Sequence, residues 1–195
     1  RLVHDAEALT AEANSLAELR EPGDVQFDEE SGEGDTLAVE RERDLALSAQ
    51  FLEQPAALAA LWGSFGALGK GRLPARLTEK LAVAVADRNR CEYCLAAHTL
   101  LGKNAGASES EMAEAQAGRS ADPATAAALA FALKVVDRRA DIGDADIAAL
   151  RDAGFDDEAI VELLAHVALN LFTNYVNIAF DVPVDFPAVK LRQAA

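Results

Sequence analysis

The sequence predicts an all-α protein folded as a compact helical bundle, and three observations carry that reading. Half the residues are hydrophobic (51%) while only 6% are aromatic, with alanine and leucine dominating the apolar set. Ala-rich and Leu-rich sequence with few β-branched runs favours closely packed helices over strands. The apolar residues also recur at helical spacing between capping and breaking residues, and 195 residues suffice for one ordinary core.

Taken in order, residues 5–19 have a helical pattern in which Leu9, Ala13, Leu16 and Leu19 share one side. From Glu21 to Asp35 seven acids and no base occur among Pro, Gly and Ser, the composition of a tether or a docking arm. Helical pattern resumes from Leu37 to Leu52, and Pro55 restarts it with an apolar stripe of Leu58, Leu61, Trp62, Phe65 and Leu68. Trp62 and Phe65 are expected in the core. Gly69-Lys70-Gly71 breaks that helix, and Pro74 opens the next, through Ala86. The break Asp87-Arg88-Asn89-Arg90 leads into a helix ending near Gly106. Ser108 with Glu111 spells a capping box, and Asp122-Pro123 places a cap before a proline at the first position of a helix reaching Ala140. Asp144 is expected to cap a short helix ending at Gly154, and Asp156 a long apolar one to Phe180. Val182–Pro187 reads as extended. The expected organisation is an acidic leader over residues 1–44 and a helical domain over 45–195.

Shifting the sequence by 83 residues lays Glu79-Lys80-Leu81-Ala82 on Glu162-Leu163-Leu164-Ala165. The same shift places Asn174 and Asn177 under Cys91 and Cys94, and Asp181 under His98. This suggests a duplicated helical motif whose second copy has lost the thiols.

The net charge is −15, and residues 1–44 hold 14 acids against four basic residues. No basic patch suited to a phosphate backbone is present, which argues against nucleic-acid binding. No apolar run reads as a membrane span and no export signal is recognisable. With one Cys pair at catalytic spacing, a reducing cytoplasm is the expected location.

The chemistry concentrates in Arg90-Cys91-Glu92-Tyr93-Cys94-Leu95-Ala96-Ala97-His98, which holds both cysteines and one of three histidines. On a helix, Cys91, Cys94 and His98 would share a face. A thiol attacks as thiolate and needs help to ionise at neutral pH. Cys91, at the helix start, would be favoured by free backbone N–H groups; Cys94 would be favoured by His98 one turn on. The order of their roles therefore stays open. Glu79, twelve residues before Cys91 on the preceding helix, is the candidate to orient His98. Arg88 and Arg90 add positive charge nearby. Cys91, Cys94 and His98 would give zinc three ligands where a closed structural site has four, so no metal is expected. His166, on an apolar helix face, reads as a satisfied core histidine.

Glu79, Cys91, Cys94 and His98, with Leu73-Pro74 ahead and Asp185-Phe186-Pro187 behind, resemble the signature of the alkylhydroperoxidase D (AhpD)/carboxymuconolactone decarboxylase family. The likeness covers roughly residues 50–187 and is nearest to its peroxidase-related branch. It implies an AhpD-like helical fold, a homo-oligomer (trimer or hexamer) and a Glu–His–Cys proton relay. It further implies thiol-dependent reduction of a hydroperoxide, with no cofactor. A dithiol or lipoyl-type reductant would reset the pair, and a peroxiredoxin is the partner some members serve. Tyr93 stands where the mycobacterial type has histidine, a departure that touches part of the relay and the choice of electron donor. The alternatives on the same fold are a non-enzymatic redox-sensing or assembly protein and a lactone decarboxylase. The decarboxylase branch typically lacks the Cys pair present here.

Overall fold

The computed structural model describes residues 55–193, and among these every regular element is a helix. In chain order they are α1 (Pro55–Leu68), α2 (Ala75–Asn89), α3 (Glu92–Asn104), α4 (Glu109–Gln116), α5 (Pro123–Arg138), α6 (Asp144–Asp152) and α7 (Asp157–Ala179). The expected helices over 5–19 and 37–52 and the acidic segment lie outside the described residues. The chain divides into two units, residues 1–66 and 67–195.

In the first unit the described element is most of α1. Trp62 and Phe65 stack on each other at 5.8 Å between ring centroids, yet Trp62 is 63% exposed and Phe65 is also exposed. The expectation that both are core residues is corrected. An apolar stripe at helical spacing shows that a face exists, not that anything covers it.

The second unit is built around α2, which packs against α3, α4, α5 and α7. Every residue from Lys80 to Asp87 is buried. The alternation of Ala with Val in Leu81-Ala82-Val83-Ala84-Val85-Ala86 explains how helices approach it from several sides, since small side chains allow close axes. Leu81, Ala84 and Val85 join α5, α6 and α7 in one apolar cluster around Leu129, Leu150 and Leu163. Val83 and Ala86 join a second cluster with Cys91, Cys94, Leu95, Ala107 and Met112. The thiols therefore sit in core, not in a surface cleft.

Local signals set most helix ends. Ser108 and Glu111 form the expected capping box, with Glu111 N–H donating to Ser108 Oγ at 3.2 Å and Ser108 N–H to Glu111 Oε2 at 2.9 Å. Asp122 and Asp156 cap α5 and α7 as expected. Three boundaries differ. α2 runs on to Asn89, and Arg90 alone reverses the chain in the left-handed region (φ 66), while Cys91 N–H reaches back to Ala86 O at 3.0 Å. α5 stops at Arg138 because Arg139 and Ala140 are also left-handed. Gly143, not Asp144, is the N-cap of α6, with Asp146 reaching back to its N–H. At the first two boundaries Arg90 and Arg139 adopt a conformation usually given to glycine.

By length and composition α7 could cross a membrane, which corrects the expectation that no apolar run is long enough. Here Ile160, Leu163, Val167 and Asn170 on α7 are buried, and the helix packs on α2 and α5. That is the pattern of a core helix.

Gly102 on α3 marks the tightest approach beside Glu79. A Cβ there would fall 2.4 Å from the buried Met112 Cε and 3.4 Å from Glu79 Cβ. Gly102→Ala should force Met112 to repack and lower stability by about 1–3 kcal/mol, measured by denaturant unfolding. An unchanged midpoint would contradict this packing.

Candidate active site

Cys91 is the N-cap of α3, and its sulfur takes the position usually held by a Ser or Asp oxygen, accepting the Cys94 N–H at 3.3 Å. Cys94 lies in the first turn of α3. Both are free thiols, 1% and 2% exposed. Cys91 thus stands at the start of α3.

The reversal at Arg90 turns α3 back along α2, so Glu79 meets His98 across the two helices. His98 Nδ1 and Glu79 Oε2 are 2.7 Å apart, in a partly buried contact. That contact at Nδ1 fixes the orientation of the ring. The four residues singled out from the sequence therefore gather at the α2–α3 junction.

The two thiols are electrically unequal. A hydrogen bond from the Cys91 thiol favours the ionised Cys94 sulfur and, despite burial, lowers its pKa to about 7. The Asn177 amide, the charge of His98 and the Asn174 amide act in the same sense. Cys91 is pushed up, first by donating to Cys94, then by burial and by the neighbouring negative sulfur. The helix-start argument for Cys91 meets an opposing effect here: its sulfur is occupied as a cap and as a donor, and the lowered pKa lies at Cys94.

Several neighbours escaped the sequence reading. Asn177 Nδ2 on α7 donates to Cys94 Sγ at 3.2 Å, and Asn89 Nδ2 donates to Asn174 Oδ1 at 2.9 Å. The signal was present, because the shift of 83 residues aligns Asn177 with Cys94, and these two meet. The C-terminal segment is the second omission. Val189 and Leu191 pack on the cysteine cluster. The buried Asp87 carboxylate accepts Gln116 Nε2 at 2.8 Å and Arg192 N–H at 2.9 Å. Phe186 stacks edge-on against Tyr93 at 5.4 Å. The tail is thus strapped over the thiols.

Arg88 pairs with Asp137 and Arg90 bonds the Arg192 carbonyl, so both guanidinium groups are engaged away from the sulfurs. His166 is largely buried but not satisfied: its Nε2 has no hydrogen-bond partner and lies 3.8 Å from Glu162 Oε1. Glu162 is instead held by the Arg72 and Leu73 N–H groups. Among the described residues no three His, Cys, Asp or Glu side chains converge as a metal site.

Two outcomes follow. Alkylation of the reduced protein by iodoacetamide should rise with pH through about 7, the Cys94 value, because a lowered pKa leaves thiolate populated above it and lost below it. Cys94→Ser should abolish this phase in a pH-rate profile, and its survival would assign the charge to Cys91. Asp87→Ala removes the acceptor that pins the tail. It should cost about 1–3 kcal/mol in thermal or denaturant unfolding and speed alkylation of the thiols.

Residues 55–138 match the carboxymuconolactone decarboxylase family. The solved structure of an AhpD-core, peroxidase-related protein from Ralstonia eutropha JMP134 superposes with a TM-score of 0.65 at 25% identity, covering 70% of this chain and 74% of that one. A peroxidase-related protein from Silicibacter sp. TM1040 gives 0.64 at 23% identity over 84% and 92%. The debrominase Bmp8, solved as C82A with 2,3,4-tribromopyrrole, gives 0.59 at 20% over 71% and 74%. The last two likenesses bear on the fold alone. No curated protein matches the chain.

Proposed function

From the match of residues 55–138 to the carboxymuconolactone decarboxylase family and the likeness to the AhpD-core structure, we propose that the chain is an AhpD-like member of that family and a thiol-dependent hydroperoxide reductase using Cys94, Cys91, His98 and Glu79. The observation that carries this reading is the 2.7 Å Glu79–His98 contact one helical turn beyond a Cys94 whose pKa is lowered to about 7.

In this mechanism His98, oriented by Glu79, takes the Cys94 proton. The Cys94 thiolate attacks the terminal oxygen of the hydroperoxide and the O–O bond breaks. Sulfur becomes a sulfenic acid, and the leaving alkoxide takes the proton from His98 as the alcohol. Cys91 then attacks the Cys94 sulfur as its proton passes to the leaving hydroxide, expelling water and closing a disulfide. An external dithiol reopens it by exchange and leaves as its own disulfide. Protonated Cys91 suits the resolving role, since it stays a thiol until the sulfenic acid forms. The depth of both sulfurs supports a slender reductant such as a lipoyl arm. A peroxiredoxin partner and assembly as a trimer or hexamer belong to the same proposal.

The test is a time-resolved thiol count on reduced protein given one equivalent of hydroperoxide. Both thiols should vanish rapidly and return with dithiol, and Cys94→Ser should not react. Glu79→Gln should slow the reaction by about 10²-fold through loss of proton transfer. Thiol loss no faster than that of a small free thiol would contradict the reading. Retained lactone decarboxylation by the double Cys→Ser variant would replace it.

A further inference from the structure

The geometry points to a second set of site residues on α7: Asn174 and Asn177 form a two-amide cradle for the Cys94 thiolate, and Asn89 positions one of the two amides.

The argument begins with spacing. Asn174 and Asn177 are three apart on a helix and so present to one side, and Asn177 Nδ2 already donates to Cys94 Sγ at 3.2 Å. Asn174 is 0% exposed, and its Nδ2 has no hydrogen-bond partner. A buried amide donor left unpaired costs about 1–3 kcal/mol, so such a group needs an explanation. Its orientation is fixed, because Asn174 Oδ1 accepts Asn89 Nδ2 at 2.9 Å. Oxygen therefore faces Asn89, and the N–H edge is left for the sulfur. A negative Cys94 gives that edge an acceptor, consistent with the favourable action of the Asn174 amide on the thiolate. The unpaired donor is thus a cost of the neutral thiol and a gain for the thiolate.

The groups acting on Cys94 are then distinct by element. Cys91 and His98 come from α3 and its cap, and Glu79 on α2 acts through His98. Two uncharged amides come from α7. Charge-assisted N–H donors to an anion are stronger than neutral pairs, and amides add no charge that would itself titrate across neutral pH. Asn89, the last residue of α2, touches Asn174 and not the sulfur, so it is a positioning residue. The inference deepens the proposed thiol chemistry, but the ionisation it describes is measurable without any peroxide.

The experiment uses the Cys91→Ser protein, in which Cys94 is the one remaining sulfhydryl of a chain with two cysteines. Thiolate absorbance near ~240 nm and iodoacetamide alkylation are followed against pH as signals of ionisation. Asn177→Ala should move the midpoint upward and slow alkylation at pH 6 by about fivefold to tenfold, while the plateau at high pH is kept. Asn177→Asp, which keeps the shape but replaces a donor with a carboxylate, should slow it further. Asn174→Ala should act in the same direction, and Asn89→Ala more weakly. Thr173→Ala, on the same helix but bonded to backbone carbonyls, should leave the midpoint in place. If the fully buried Asn174 variant does not fold, the two Asn177 variants decide. Folded Asn177→Ala and Asn177→Asp proteins with an unmoved midpoint would overturn the cradle. A moved midpoint in a protein whose parent ignores hydroperoxide would uphold the cradle and remove the proposed function. Rapid peroxide consumption with an unmoved midpoint would do the reverse.

Discussion

The easing of a buried thiol's ionisation by hydrogen-bond donors is the constraint on which the rest of the site depends. Cys94 is almost wholly removed from solvent, where burial alone would keep a thiol protonated. Its pKa is lowered instead by hydrogen-bond donors: the Cys91 thiol from the cap of α3 and the Asn177 amide from α7. Without them, the Glu79–His98 pair would face a neutral thiol, and the two sulfurs would be chemically alike.

The fold supplies those donors through a few tight junctions. Arg90 in the left-handed region reverses the chain at once, so Cys91 can cap α3 while Glu79 and His98 meet one helix apart. Gly102 permits the close approach of α3 beside Glu79 and Met112. The all-buried centre of α2 allows α7 to reach the thiols from one side while the C-terminal strap covers them. Lys80, buried on the same helix, is neutralised by Glu111, which also closes the capping box of α4. Helix capping and charge burial are thus joined at one carboxylate.

Much of this was legible in the sequence because it is local. Caps such as Ser108, Asp122 and Asp156 act within a turn, and the spacing from Glu79 through Cys91 and Cys94 to His98 already implies two helices folded back on each other. What was not legible depends on partners far along the chain. Asn177 is 83 residues from Cys94, and Arg192 N–H lies 105 residues from the Asp87 carboxylate it meets. Burial is equally non-local: Trp62 has the spacing of a core residue and the exposure of a surface one. Arg90 was hidden for another reason. An arginine gives no hint of positive φ, so the reversal was read as a four-residue break.

The central claim is that Cys94, not Cys91, is the sulfur that meets the oxidant. The most direct measurement is peptide mass analysis of the Cys91→Ser protein after brief exposure to a hydroperoxide in the presence of dimedone, which captures a sulfenic acid. A dimedone adduct on Cys94, forming about 10²-fold more slowly when Glu79 is also replaced by Gln, is the predicted result. No adduct on Cys94, with capture on Cys91 in the reciprocal Cys94→Ser protein, would contradict the account.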